Sequence, residues 1–128
     1  MILLDTCTLI WLSSSPEKLG VRARQLIQVH ADSLFLSSIS GFEVAVKAKK
    51  NKLQLPLASH EWLEQVLTFH GIEEISVDLS LFVKSAELSP LHQDPCDRVI
   101  IATAQEHDLI LLTPDPLIRQ YPNLKVEW

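Results

Sequence analysis

The sequence predicts an α/β domain built on a mostly parallel β-sheet that is covered by helices. Short apolar runs of strand length recur between longer segments that carry helix starts and stops, the pattern of βαβ units. The chain has 128 residues, 47% of them hydrophobic and 21% charged, which suits one compact domain over residues 1–128. No internal repeat, low-complexity stretch or linker interrupts it. A chain of this size buries roughly two-thirds of its unfolded surface, so its core needs neither disulfide nor structural metal.

Met1 to Leu4 is an apolar run ended by Asp5, and Ser33 to Ser37 repeats that form; both read as buried strands. Asp5 suits the N-cap of a short helical candidate, Thr6 to Trp11. Pro16 to His30 reads as a helix with Ser15 as N-cap and proline at the first helical position. A helix from Ser40 to about Asn51 opens on Ser-x-x-Glu, a capping box in which Glu43 reaches back to the N-cap amide. Ser59 to His70 is a helix stopped by Gly71. Ile72 to Val77 is a third strand, followed by a helix from about Leu79 to Leu88.

The segment QDPCDRVIIATA begins a helix from Pro95 to His107, with Asp94 as N-cap, Pro95 at its first position and Asp97 at its third, where negative charge suits the helix dipole. Leu109 to Leu112 is a fourth strand, Asp115-Pro116 repeats the capping grammar, and Leu124 to Trp128 alternates as a fifth strand.

Charge and motifs narrow the function. A formal charge of −5 disfavours a broad basic surface for nucleic acid, yet acids that hold cations lower the charge while attracting phosphate. No apolar run approaches the roughly 20 residues of a membrane span. The N-terminus lacks a basic leader, so a cytoplasmic protein with free Cys7 and Cys96 is expected. His30, His60, His70, His92 and His107 have no ligand spacing and read as surface or helix-end residues. Neither G-x-S-x-G nor a phosphate-cradling glycine loop occurs.

Each acid has a local role, but the fold gives them a shared one. In an open α/β sheet, residues just past the carboxyl ends of neighbouring strands line one crevice. Asp5, Glu43 and Asp115 follow strands, and the N-terminus that carries Asp97 can face the same edge. Carboxylates gathered there repel one another unless a cation compensates. Mg²⁺, with Mn²⁺ as the alternative, is the hard ion such oxygen ligands take, and the chemistry it suits is phosphodiester hydrolysis. Lys47, Lys49, Lys50 and Lys52 complement the C-terminal end of their helix. Lys47 and Lys50 are also candidates to steer RNA toward the acids. Arg98 is a candidate to orient a carboxylate, contact a phosphate or form a structural ion pair.

LLDTCTLIW, SSISGFEVAVKAKKNKL, DPCDRVIIATAQEHDLILLTPDP and a terminal strand, in that order over nearly the whole chain, resemble a PIN domain of the VapC toxin ribonuclease type. The resemblance implies a five-stranded parallel sheet flanked by helices on both faces. It also implies a Mg²⁺-dependent endoribonuclease that leaves 5′-phosphate and 3′-hydroxyl ends and is restrained by a VapB-like antitoxin, and it implies a homodimer. By position it assigns Asp5, Glu43, Asp97 and Asp115 as metal-binding catalytic acids. Thr6 and Thr113 become their polar supports, with Asp94 as helix cap or outer contact. Phe42 and Cys96 depart from the tryptophan and phenylalanine frequent in relatives; neither removes a ligand.

Two rivals stand beside this. A receiver-type phosphoacceptor signalling domain requires paired acids after the first strand and an aspartate ending the third; Asp5 stands alone and Asp78 lacks companions. A PIN-like fold kept as a non-catalytic binding module would not need all four acids. Trp11 and Trp62 are read as core residues first and partner contacts second.

Overall fold

The computed structural model describes residues 1–128. Five strands, β1 (Ile2–Leu4), β2 (Leu34–Ser37), β3 (Ile72–Ile75), β4 (Ile110–Leu112) and β5 (Lys125–Glu127), form one sheet in the order β3-β2-β1-β4-β5, every pair parallel. β1 lies at the centre with Ile2, Leu3 and Leu4 fully buried, as expected of a parallel strand covered on both faces. Alternation along β1 divides the core: Ile2 and Leu4 join one apolar cluster and Leu3 the other.

The first cluster packs the sheet against α1 (Thr6–Ser14), α2 (Val21–Val29), α3 (Ser38–Lys49) and α4 (Ser59–His70) through Leu9, Leu26, Val44 and Trp62. The second buries Ile100, Ile101 and Ala104 of α6 (Pro95–His107), on which α5 (Leu79–Glu87) rests. Trp62 is therefore a core residue, while half-buried Trp11 tilts against Trp128. No helix is long and apolar enough to cross a membrane.

Several boundaries differ from expectation. The helix predicted over Pro16 to His30 is broken: Pro16–Lys18 is a single 3₁₀ turn, Ser15 makes no side-chain cap, and α2 restarts after Gly20. A Cβ at Gly20 would lie 2.7 Å from the Trp128 carbonyl carbon, so the residue from which α2 restarts must be bare backbone beneath a tryptophan. The third strand ends at Ile75, two residues early. Asp78 caps α5 by accepting from the Leu81 amide, beyond the edge strand β3 and away from Asp5, which follows central β1. Gly71 ends α4 as predicted, and it does so in the left-handed conformation at φ 65°.

The start of α3 is a correction with functional weight. Ser37, the last residue of β2, is the N-cap, its Oγ accepting from the Ile39 amide, so the helix begins two residues before Ser40. Ser40 lies buried inside the first turn, and Glu43 is not the distal member of a capping box. Its carboxylate is left for other partners.

Candidate active site at the switch point of the sheet

Strand order reverses at β1, since β2 and β3 extend from one side of it and β4 and β5 from the other. The crevice beyond the carboxyl ends of β1 and β4 is thus the switch point at which open α/β sheets bind ligands. Leu4 is in register with both Leu36 and Leu112, so Asp5, Ser37 and Thr113 emerge at one level. A cavity of about 260 Å³ opens there, lined by Asp5, Thr6, Cys7, Glu43, Lys47, Asp94, Asp97, Thr113, Pro114 and Asp115. All four predicted acids line it. A larger apolar groove between α1 and α4, of about 1030 Å³, has no acid cluster.

Each acid is held differently. Asp5 is buried and caps α1: Oδ1 accepts from the Thr8 amide at 2.7 Å and lies 2.6 Å from the Thr8 hydroxyl. Burial pushes its carboxyl up, hydrogen bonds from Thr113 and Thr8 pull it back, and the charge of Asp115 pushes it up again. Glu43 Oε1 lies 2.6 Å from the Thr6 hydroxyl, which is 2.8 Å from that of Ser40. A carboxylate only accepts, so the one proton of Thr6 goes to Glu43 and Ser40 donates to Thr6. Lys47, one turn on, lies 3.9 Å from Glu43.

Asp94 caps α6 as predicted, accepting from the Cys96 amide at 2.9 Å, and that start aims Asp97 into the crevice. Burial foremost, then the charges of Asp94 and Glu43, raise Asp97 to about 7, with His92 acting the other way. Asp115 Oδ1 accepts from the Leu117 amide, capping a turn that leads to a 3₁₀ turn at Ile118–Gln120. The Thr113 hydroxyl accepts from the Asp115 amide.

One histidine requires a correction. His92 is only 8% exposed, and its Nε2 lies 2.8 Å from Asp115 Oδ2 and 3.2 Å from Asp97 Oδ2. One atom from each of these residues falls within 4.8 Å of the others, a grouping compatible with a cation. Its partners lie five and 23 residues along the chain and meet it only through the fold, so no spacing rule could have found it. Arg98 also differs from its predicted role. Its guanidinium reaches no carboxylate; it donates to the carbonyls of Ser85, Ala86, Leu88, Ser89 and His92, clamping the α5–α6 connection. Lys50 ends α3 exposed and outside the cavity lining.

Cys7 lines the cavity and Cys96 lies beside Asp97, yet burial first and neighbouring acids next push both thiols up to about 11. At neutral pH neither is the thiolate a nucleophile requires. The site's chemistry therefore rests on oxygen ligands.

Fold and site define a class: a parallel α/β domain with an acid-lined crevice at the switch point of its sheet. The PIN domain family model matches residues 2–124. The chain belongs to the PIN domain family. It is 36% identical over 121 residues to Ribonuclease VapC22 of Mycobacterium tuberculosis (strain ATCC 25618 / H37Rv), covering 94% of this chain and 91% of that protein. A toxin-antitoxin complex from Klebsiella pneumoniae contains a chain 25% identical, with a TM-score of 0.69 over 100% of this chain and 97% of that one. VapBC2 from Rickettsia felis, bound to a promoter DNA fragment, superposes at 0.74 over 99% and 98% of the two chains; at 19% identity it speaks to the fold alone.

Proposed function

We propose that this chain is a divalent-metal-dependent endoribonuclease, a single cytoplasmic domain that acts as the toxin of a toxin-antitoxin pair. The observation that carries the reading is the convergence of Asp5, Glu43, Asp97 and Asp115, from four separate segments, on one small cavity at the switch point. Kinship with a named ribonuclease and with a toxin-antitoxin chain supports it.

The donor set fits a hard cation. It is rich in carboxylate oxygen, and burial raises Asp5 and Asp97, a cost that a bound cation reverses. Mg²⁺ is the ion this favours, with Mn²⁺ as the substitute; Asp5, Glu43, Asp97 and Asp115 would hold it. When bound, it supplies Lewis acidity, stabilising charge on a phosphoryl oxygen and acidifying water. The chain's own contribution is orientation. Thr8 fixes Asp5, Thr6 fixes Glu43, and the α6 N-terminus fixes Asp97. Lys47 at the cavity wall attracts the phosphate backbone, and Lys50 extends that positive edge.

A VapB-like antitoxin partner follows from the same kinship, its task being to cover the crevice with a segment that complements the acids. Pairing with a second copy of the chain suits the exposed Leu79, Phe82 and Val83 of α5. The deciding experiment incubates the protein with structured and single-stranded RNA, with Mg²⁺ or EDTA, beside Asp5→Asn and Asp97→Asn. Cleavage should require Mg²⁺ and vanish in both variants. Cleavage that survives EDTA, or persists in both variants, overturns the metal reading.

A further inference from the structure

By distance alone His92 is a metal ligand, because its Nε2 lies close to oxygens of both Asp97 and Asp115. The opposite ring nitrogen decides otherwise. Nδ1 of His92 is 3.1 Å from the backbone amide nitrogen of Asp94, a group that can only donate. Nδ1 therefore accepts and carries no proton, which leaves the ring's N–H on Nε2. Turning the ring over would set carbon against both the amide and the carboxylates and lose every one of these contacts. An Nε2 that carries a proton donates to carboxylates and has no lone pair for a cation.

We propose that His92 is a positioning residue, whose Nε2–H bridges Asp97 and Asp115 and sets the separation at which these carboxylates face a cation. This rests on the metal reading above and adds a residue to it. The backbone that carries the ring is held from both sides of the residue. The Tyr121 hydroxyl accepts from the His92 amide at 2.9 Å and donates to the Ser89 carbonyl at 2.8 Å, and Arg98 donates to the His92 carbonyl at 3.0 Å. The Asp94 amide thus fixes the tautomer, while the Asp94 side chain caps the helix that carries Asp97. One short segment orients Asp97 twice, through the helix start and through the ring.

The test uses the full chain labelled with ¹⁵N-histidine. Long-range proton–nitrogen correlation spectra should place the His92 proton on Nε2 without metal and keep it there after titration with Mg²⁺ or Mn²⁺. Loss of that proton on loading makes His92 a ligand and overturns the proposal. By calorimetry, His92→Ala should bind Mg²⁺ on the order of tenfold more weakly, as for other residues that orient metal ligands. His92→Gln, whose amide N–H can stand in for Nε2–H, should recover most of the loss. Unchanged affinity in the alanine variant, or a glutamine variant no better than alanine, overturns it. If neither ion binds wild-type protein, the metal reading falls with it. Intact Mg²⁺ binding and an Nε2–H tautomer in a protein that cleaves no RNA would sink the nuclease reading and leave the bridge standing.

Discussion

The Thr6 hydroxyl lies 2.6 Å from Glu43 Oε1, joining the first residue of α1 to the second turn of α3 across the carboxyl edge of the sheet. The two residues are 37 apart in sequence, and this bond aims a carboxylate that has no helix cap to serve. Thr6→Val keeps the shape and removes the donor. Metal-dependent RNA cleavage should fall roughly 10- to 100-fold, the usual effect of losing a group that orients a ligand. Stability should fall by only about 1–2 kcal/mol, because Ser40 loses a partner. A wild-type cleavage rate in Thr6→Val would mean that Glu43 needs no such aim.

Asp97 makes the metal-free protein sensitive to pH. Its folded value is raised to about 7 from an ordinary 3.8, so between these limits the folded chain keeps a proton that the unfolded chain has released. Stability from this group is therefore present at low pH and lost as pH rises through 7. Asp97→Asn, which cannot ionise, should raise the Tm of metal-free protein at pH 8 by on the order of 3–5 °C. Near pH 4 it should have little effect. Thermal melts in EDTA measure both, and an equal shift at both pH values would refute the assignment.

The same carboxyl makes cation binding release protons. At pH 6 Asp97 is largely protonated before loading, and binding should displace up to about one proton from it; at pH 8 little remains to displace. Calorimetric titration with Mg²⁺ in two buffers of different ionisation enthalpy counts the protons. Equal release at both pH values would place the cation elsewhere.

Arg98 should affect stability far more than its neighbour's chemistry suggests. Its guanidinium satisfies five carbonyls, two in the last turn of α5 and three in the connection to α6. A lysine ammonium has three donors and no planar fork, so Arg98→Lys should not restore this set. Both Arg98→Ala and Arg98→Lys should lose about 2–4 kcal/mol in denaturant unfolding, in line with breaking a network of charged hydrogen bonds. A lysine variant as stable as wild type would reduce the clamp to a simple charge.

How much of this could be read in the chain differs by element. Pro95 to His107 was legible to the residue because its signals are local: Asp94, Pro95 and an apolar face. The convergence of the four acids on one cavity was legible because strand ends and helix starts bring them to one edge whatever the side chains do. Ser40 misled, since a serine three residues before a glutamate looks like a capping box whether or not β2 has already supplied Ser37. The demand for glycine at position 20 was hidden because Trp128, which packs on it, lies far along the chain. His92 and Arg98 were missed or misassigned for the same reason. Their partners are brought near by tertiary folding, and pairwise spacing carries no trace of that.

Lys47 and Lys50 separate position from charge. Both end α3, but only Lys47 lines the acid cavity, where it stands 3.9 Å from Glu43. Removing either charge should weaken RNA binding, and each should reduce the salt dependence of that binding by about one phosphate contact if it touches the backbone. Lys47→Gln removes in addition the cation that faces Glu43, so it should lower the cleavage rate at saturating RNA, whereas Lys50→Gln should leave that rate within about twofold of wild type. Binding measured over a salt series in Ca²⁺, beside single-turnover cleavage in Mg²⁺, distinguishes the two. Equal effects of both substitutions on the saturated rate would make the end of α3 a general basic patch, with no special place for Lys47 at the cavity wall.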